Sequence, residues 1–367
     1  MFYTYFGYPI ILWVSSKLLS SPVNKKEMLP NVSFVVVVHN EEEYIEEKIQ
    51  NILSCDYPKE KLEVIIGSDG STDDTNKIIE RHRDKGIKVY IFSKHVGKVN
   101  ILNEITPKVS GEIIVFSDAR QILKKNAIKE LVNNFSDDQV GCVSGELILK
   151  NESSLISEGV GFYWDYEKFI RKKESDIGSM VGATGAIYAI RKGLYISPAE
   201  DTVLDDVFIP LKIIEQGFRV IFDTEAIAYD KMVFSSKEEY VRKVRTLAGN
   251  FQIFSRCKSL FDPFKSKIAW QLFSHKFLRA FMFFFLITLF VTNTVLIGSY
   301  PYNLIFFLQI IFYLLAFMGW GVEKLGRKGG LLSFPYIFCI LNLAALKGFL
   351  KFVFGKQKVT WKEDMIR

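Results

Sequence analysis

The sequence predicts an α/β protein in which a doubly wound mixed sheet lies between apolar helices at the N-terminal and C-terminal ends of the chain. The first observation is that short runs of β-branched residues alternate with helical patterns between about residues 28 and 255. This alternation is typical of a sheet with helices on both faces. The second observation is that no charged residue occurs from Ala280 to Val322. That stretch is about twice the roughly 20 residues needed to cross a bilayer.

Composition excludes several classes of protein. The chain has 367 residues, of which 49% are hydrophobic and 24% charged, so it is neither a disordered protein nor a small disulfide-bonded one. Its four cysteines show no CxxC spacing, and we expect reduced thiols rather than a zinc site. The formal net charge is +6. A small basic excess beside apolar segments fits the cytoplasmic surface of a membrane better than a nucleic acid.

The apolar regions predict a membrane protein. Residues 1–18 lack the charge order and the cleavage site of a signal peptide, so we expect a short N-terminal anchor. Within 277–355 we expect two transmembrane helices, at about 278–298 and 304–322, and a soluble helix pair is the alternative. A further apolar segment, 331–355, is interrupted by polar side chains and is open to two interpretations, a third span or a broken interfacial helix.

The charges beside these segments predict their orientation. A basic loop at 324–328 follows the second span, and basic residues beside spans are typical of the cytoplasmic side. We therefore predict an integral protein of the cytoplasmic (inner) membrane whose polar domain, 28–255, lies in the cytoplasm. Residues 256–276 mix aromatic residues with lysines, as a segment lying on lipid headgroups would, and residues 356–367 form a basic tail.

Acidic side chains follow the predicted strands of the polar domain. The run Val32–Val38 has no alternation, which predicts a strand buried on both faces, and further strands are predicted at 62–66, 89–91 and 112–116. The carboxylates at or just after these strands are Glu41, Asp69, Asp73 and Asp118. Because ligands of such a sheet bind beyond the carboxyl ends of its strands, these residues predict a binding site.

The type of site is limited by what the sequence lacks. For Asp73 alone we favour a helix cap. Gly97-Lys98 lacks the following Ser or Thr of a P-loop, and the sequence contains no GxGxxG motif. A diphosphate would therefore be bound through a metal ion or through basic side chains.

Six segments carry a resemblance to a known family. They are VVVVHNEEE (35–43), SDGSTDDT (68–75), HVGKVNILN (95–103), VFSDAR (115–120), GATGAIYAIR (182–191) and LDDV (204–207). Together with the terminal apolar helices, they resemble a family-2 glycosyltransferase of the GT-A fold, in the membrane-embedded branch that contains cellulose, hyaluronan, chitin and poly-N-acetylglucosamine synthases. The resemblance implies a nucleotide-sugar domain and an enzyme that inverts the anomeric centre by direct displacement.

The resemblance implies roles on the donor side. Glu41 and Asp69 would hold the uridine or ribose, and Lys98 would approach the pyrophosphate. Asp118 matches the first acid of the DxD motif, at the metal and diphosphate, so the implied cofactor is Mg²⁺ or Mn²⁺. Arg120 stands at the second acidic position and cannot bind a cation. Either the metal is held by Asp118, phosphates, water and a more distant ligand, or Arg120 supplies part of the positive charge; we expect a retained metal.

The resemblance also implies the catalytic base. Asp205-Asp206 occupies the place of the family's TED motif, whose last residue accepts the proton of the attacking hydroxyl, so the base would be Asp206. Such catalysis contributes roughly 10²–10⁴-fold. The alternative is that both carboxylates only offset the dipole at the start of a helix.

On the acceptor side, Gly182, Thr184 and Gly185 match the loop that faces the acceptor, where small residues permit close approach of a sugar. Trp164 could stack on an acceptor ring or belong to the core. Of the QxxRW motif of processive members, only Arg245 remains, where it would contact the pyrophosphate. Gln252 is a candidate substitute for the lost Gln, and the loss puts processivity in doubt.

The predicted function is transfer of a sugar from a nucleotide-diphosphate donor, a UDP-sugar, to a growing polysaccharide at the bilayer, with an export or assembly partner. One alternative is a single addition to a polyprenyl-linked glycan acceptor. An alternative of a different class is an inactive membrane assembly or channel subunit, to which Arg120 and the degraded QxxRW motif lend support.

Overall fold

The centre of the structure is an eight-stranded sheet. The structure is a computed structural model that describes residues 1–150, 155–231, 236–325 and 330–357. Its strands are β1 (Val32–Val38), β2 (Leu62–Asp69), β3 (Lys88–Phe92), β4 (Ile113–Phe116), β5 (Ile122–Leu123), β6 (Val140–Lys150), β7 (Tyr188–Arg191) and β8 (Arg219–Lys231). They are ordered β3-β2-β1-β4-β7-β6-β8-β5. Strands β1 to β4 are mutually parallel, whereas β7 runs antiparallel to both β4 and β6. The predicted mixed α/β sheet is confirmed.

Helices cover both faces of this sheet. The α-helices of the described residues are α1 (Tyr8–Leu18), α2 (Ile45–Leu53), α3 (Thr75–Glu80), α4 (Lys98–Ile105), α5 (Ala127–Asn133), α6 (Leu155–Ile177), α7 (Asp205–Glu215), α8 (Ser236–Arg256), α9 (Ala269–Gln271), α10 (Leu278–Ala280), α11 (Met282–Val295), α12 (Tyr302–Lys324) and α13 (Ser333–Val353). Even-numbered residues of β1 pack with α2 and α5, and odd-numbered ones with α4 and α7. All of β1 is therefore buried, as its unbroken apolar run predicts.

The C-terminal helices differ from the expected pair. Among the described residues, two helices are long and apolar enough to cross a membrane, Tyr302–Lys324 and Gly330–Val353. The second of these is the segment whose interpretation the sequence left open. The helix expected at 278–298 is not continuous: Ala269–Ala280 and Met282–Val295 meet at an angle of 57°, and they pass the same test only when taken together. The placement of any of these helices in a bilayer stays a prediction.

Buried charges explain the bend. His275, in the π-helical turn Leu272–Phe277, lies between two carboxylates of α6, with Nδ1 2.8 Å from Glu174 Oε1 and Nε2 3.0 Å from Glu167 Oε1. Arg279 donates to Glu167 Oε2 at 2.8 Å. The other three residues of this network, Glu167, Glu174 and His275, are each less than 5% exposed. Because a buried charge is costly without a partner, residues 269–280 stay on the α/β domain while α11 turns away.

The N-terminal segment forms a short helix on the same surface. A π-helical turn, Tyr3–Gly7, continues into α1, whose Tyr8 and Leu12 pack against Ile170 of α6. The Tyr8 hydroxyl donates to Glu174 Oε1 at 2.6 Å. On the other side Ile10 is 57% exposed. An apolar exposed face beside a packed one suits a segment at a membrane, but the anchor at 1–18 stays a prediction.

Candidate active site

A lysine and three carboxylates meet at the carboxyl edge of the sheet. Lys98 begins α4, Asp118 follows β4, and Asp205 and Asp206 begin α7. Lys98 Nζ donates to Asp118 Oδ1 at 2.8 Å and lies 3.2 Å from Asp205 Oδ2. Burial lowers the pKa of Lys98, but the charges of Asp118 and Asp205 outweigh it and hold that pKa well above its usual value. Lys98 is therefore a permanent cation at the centre of this cluster.

Asp206 is a buried carboxylate whose proton affinity is raised by its surroundings. Its Oδ2 accepts a hydrogen bond from Gly185 N at 3.1 Å. Burial and the nearby charge of Asp205 raise its pKa to about 6, against the opposing effect of Lys98. A carboxylate with a pKa near neutrality is a stronger base than an exposed one and is still ionised at pH 7. This environment is what a general base requires.

The loop 182–185 approaches these carboxylates closely. Gly182 has φ +109°, a conformation that favours glycine, and Thr184 N donates to Ser144 Oγ at 3.1 Å. A Cβ on Gly185 would lie 3.0 Å from Asp118 Oδ2 and 3.4 Å from Asp206 Oδ2. The small residue at 185 therefore lets the backbone reach both carboxylates. Contact of this loop with an acceptor stays a prediction.

We expect Gly185→Ala to lower turnover by about 10- to 100-fold, because its Cβ, 3.0 Å from Asp118 Oδ2, displaces the Asp118 side chain by a few tenths of an ångström. The matched control is Gly193→Ala, whose Cβ meets nothing within 4 Å. Initial rates and melting temperatures of both variants check this. Equal rates for the two would contradict it.

Asp69 holds the loop that leads into α4. Its carboxylate accepts hydrogen bonds from Val96 N at 2.7 Å and Gly97 N at 2.9 Å, and His95 Nδ1 lies 2.8 Å from it. Gly97 has φ +99° and directly precedes Lys98. Asp69 is fully buried. In this structure it positions Lys98, while its contact with a nucleoside stays a prediction.

Glu41 and Arg120 lie together in a neighbouring cleft. Arg120 Nε is 3.3 Å from Glu41 Oε2, and its guanidinium lies 5.0 Å from the centre of the Tyr44 ring. The cleft has a volume of about 200 Å³ and is lined by Asn40, Glu41, Glu42, Glu43, Tyr44, Asp73 and Arg120. Asp73 Oδ1 accepts a hydrogen bond from Thr75 N, the first residue of α3, at 3.1 Å. The N-cap residue of α3 is Asp74, so Asp73 supports the helix start from one position before the cap that was predicted for it.

The residues present fit a divalent metal only through Asp118. No group of three or more His, Cys, Asp or Glu side chains among the described residues could hold a metal ion by itself. Arg120 is directed to Glu41, away from a second ligand position. The Asp118 side chain is 45% exposed, so it can offer one carboxylate to an ion whose other ligands come from the substrate and water.

Trp164 and Arg245 lie on the helices behind the cluster. Trp164, on α6, is half-buried; the guanidinium of Arg171 lies 5.9 Å from its ring centre, and its Nε1 has no hydrogen-bond partner among the described residues. Arg245 lies on α8, one turn before Gly249, where α8 contacts Leu204. The roles of Trp164 at an acceptor and of Arg245 at the pyrophosphate stay predictions.

Lys48 supports the site and was missed by the sequence analysis. It is fully buried on α2, and its Nζ donates to Ser117 Oγ and to Gln121 O, both at 2.7 Å. Burial lowers its pKa to about 7. These bonds fix the loop that carries Asp118 and Arg120. The available signal was a lysine adjacent to Ile49 on the apolar face of an amphipathic helix.

Comparisons with known proteins agree with this geometry. Residues 33–195 match the model of glycosyl transferase family 2. Poly-beta-1,6-N-acetyl-D-glucosamine synthase of Staphylococcus aureus (strain COL) is 24% identical over 256 residues, which cover 67% of this chain but only 61% of that protein. The probable glycosyltransferase YdaM of Bacillus subtilis (strain 168) is 27% identical over 317 residues, covering 80% of this chain and 73% of YdaM.

The fold is also that of a solved glycosyltransferase. The mannosyltransferase PcManGT from Pyrobaculum calidifontis, in complex with GDP-Man and Mn²⁺, matches with a TM-score of 0.73 at 22% identity and covers 96% of this chain and 97% of its own. Sheet, site and relatives define a glycosyltransferase. Residues 33–195 form a family-2 glycosyltransferase domain, the fold of the chain is the GT-A fold of the mannosyltransferase, and the sequence is similar to a polysaccharide synthase.

Proposed function

We propose that this protein is a membrane-bound, inverting glycosyltransferase that transfers a sugar from a UDP-sugar donor to a growing polysaccharide. The observation that carries the proposal is the position of Asp206, with its raised pKa, beside Lys98 and Asp118. The resemblance to the Staphylococcus aureus synthase supports a polysaccharide product. The catalytic domain would lie in the cytoplasm, against the inner face of the membrane, where the nucleotide-sugar donor is available.

The reaction would be a single displacement. An acceptor hydroxyl oxygen forms a bond to the anomeric carbon as the bond from that carbon to the diphosphate oxygen breaks, and the configuration inverts. Asp206 accepts the hydroxyl proton, and the bonding electrons leave with the nucleoside diphosphate. Lys98 turns from Asp118 and Asp205 to the diphosphate and stabilises its developing negative charge. Asp69 and Lys48 keep the loops of Lys98 and Asp118 in place.

Single addition to a polyprenyl-linked acceptor is the second candidate. Two observations favour it: the described residues contain two candidate spans, or three if the bent pair is one span, and QxxRW is reduced to Arg245. Two or three membrane helices are too few to enclose a channel for a polymer within one chain. An inactive subunit is disfavoured because Asp69, Asp118 and Asp206 are all present.

Product analysis separates these candidates. The purified protein in nanodiscs is given a panel of nucleotide sugars with glycan primers and with polyprenyl-linked primers, and the products are weighed by mass spectrometry. A ladder of masses supports the polysaccharide proposal, and one added sugar supports the second candidate. Absence of transfer with every donor and primer, together with absence of donor hydrolysis, would support the inactive subunit.

We further propose that Mg²⁺ or Mn²⁺ binds with the donor at Asp118. Such an ion offsets negative charge on a leaving diphosphate. We expect complete chelation to reduce transfer by at least about tenfold, and Arg120→Asp, which restores a second acid, to bind the metal more tightly in calorimetric titrations. Undiminished transfer under chelation, with Arg120→Asp acquiring a metal requirement, would mean that Arg120 supplies the charge instead.

A further inference from the structure

Helix α8 contacts the loop that leads into the catalytic carboxylates. Three of its residues, Gly249, Gln252 and Arg256, recur at intervals of three and four and so share one face of the helix. This face meets residues 201–204. At Gly249 the approach is close: a Cβ would lie 2.6 Å from Leu204 Cγ and 3.2 Å from Val203 Cβ. The loop runs directly into Asp205 and Asp206.

Gln252 and Arg256 bind the loop on both its backbone and its side chains. Gln252 Oε1 accepts a hydrogen bond from Val203 N at 3.0 Å, and Gln252 Nε2 donates to Asp201 O at 2.8 Å. Arg256 Nη2 donates to both carboxylate oxygens of Asp201, at 2.6 and 2.5 Å, and Nη1 donates to Thr202 Oγ1 at 2.7 Å. Gln252 Nε2 also donates to Asp201 Oδ2 at 3.4 Å, so six hydrogen bonds tie two side chains of α8 to three consecutive residues.

A neighbouring face of α8 packs against α13. A Cβ on Gly348 would lie 2.9 Å from Ala248 N and 3.0 Å from Val244 O, so the two helices are in backbone contact there. The Phe251 ring lies 5.2 Å from the Phe349 ring. Helix α8 is therefore held between a candidate membrane span and the loop of the catalytic carboxylates.

We propose that Gln252 and Arg256 are positioning residues that orient Asp206 through residues 201–204, from a helix whose own position is fixed by α13. The proposal rests on the proposed role of Asp206 as the base. The Asp201 side chain is 65% exposed, and exposed ion pairs contribute little to the free energy of folding. The pair of Arg256 and Asp201 therefore matters more for the orientation of the loop than for the stability of the protein. Misplacement of a reacting group by about 1 Å costs about 100-fold in rate.

The first test is charge reversal in the full-length protein. Arg256→Glu and Asp201→Arg each lower kcat by about 10- to 100-fold while the donor KM changes by less than about twofold. The double variant, in which the pair is rebuilt with opposite polarity, recovers most of the lost kcat. A purely structural contact would instead lower the melting temperature without this split. A double variant no faster than the slower single one overturns the proposal.

The second test measures the mobility of the loop in the absence of substrate. Gln252→Leu removes all three bonds of this side chain, whereas Gln252→Glu keeps the acceptor for Val203 N. Amide hydrogen exchange across 199–206 therefore accelerates more in Gln252→Leu than in Gln252→Glu. Gln50→Leu, at an exposed glutamine of α2, is the matched control. Unchanged exchange in both Gln252 variants overturns the proposal. Failure of the proposed function is seen separately, as normal transfer by Asp206→Asn.

Discussion

Asp206→Asn loses sugar transfer by about 10²–10⁴-fold, because the amide cannot accept the proton of the attacking hydroxyl. The donor still binds, since Lys98 and Asp118 keep their contacts. The fold is expected to be unharmed, because Asn retains the oxygen that accepts the Gly185 amide at 3.1 Å. Initial rates of transfer and calorimetric titration of the donor check both statements.

The matched control is Asp138→Asn, in which a fully exposed carboxylate is neutralised in the same way. It should transfer sugar at the wild-type rate. If Asp206→Asn turned over within about threefold of this control while binding donor normally, the base would have to be sought elsewhere, and the carboxylates of α7 would only offset the dipole of that helix.

Lys98→Met has the second large effect, a loss of about 10²–10³-fold in kcat, the cost of removing one preorganised group that stabilises transition-state charge. It also changes the pH dependence. In the wild type, kcat/KM falls tenfold per pH unit below about 6, because protonation of Asp206 removes the base. Lys98 opposes the raised pKa of Asp206, so its removal moves this limb to higher pH.

The pH profiles of kcat/KM for the two proteins provide the measurement. Lys94→Met, at an exposed lysine four residues earlier, is the control and should keep the wild-type profile. A Lys98→Met enzyme that is slow but keeps its acidic limb near pH 6 would show that Lys98 acts on the donor without influencing Asp206. A wild-type profile without an acidic limb would argue against Asp206 as the titrating group.

The sheet and the meeting of its carboxylates were predictable. An unbroken apolar run such as Val32–Val38 leaves no polar face, so both faces must be covered, and the parallel strands then present their ends at one edge. This is why Asp69 and Asp118 could be expected at one edge of the sheet, whereas Lys98 was placed there by the family resemblance. The reach of Asp206 into the same site followed from the family resemblance rather than from any pattern in the residues.

What could not be predicted depends on partners that are distant in sequence. The position of Asp69 at a strand end predicts a residue that binds a ligand. In the structure its carboxylate oxygens accept hydrogen bonds from the backbone amides of residues 96 and 97. In the sequence, Lys48 resembles a surface lysine. Its burial could not be predicted, because its hydrogen-bond acceptors lie some 70 residues away on another element. The bend at Phe281 falls inside an apolar run that reads as one helix, and its cause is the pairing of His275 and Arg279 with α6.

That pairing has a consequence for how the protein is made. A ribosome-bound chain delivers residues in order, so α6 is synthesised well before residues 269–280. A translocon sampling this segment meets an arginine and a histidine, and a cation at the bilayer centre costs about 2.5–3.5 kcal/mol on insertion scales. The carboxylates that pair with these groups, Glu167 and Glu174, belong to α6, which is synthesised earlier and can fold first. If the protein has the proposed membrane orientation, docking of this segment on α6 is favoured over its insertion, and only the uncharged residues that follow would enter the bilayer.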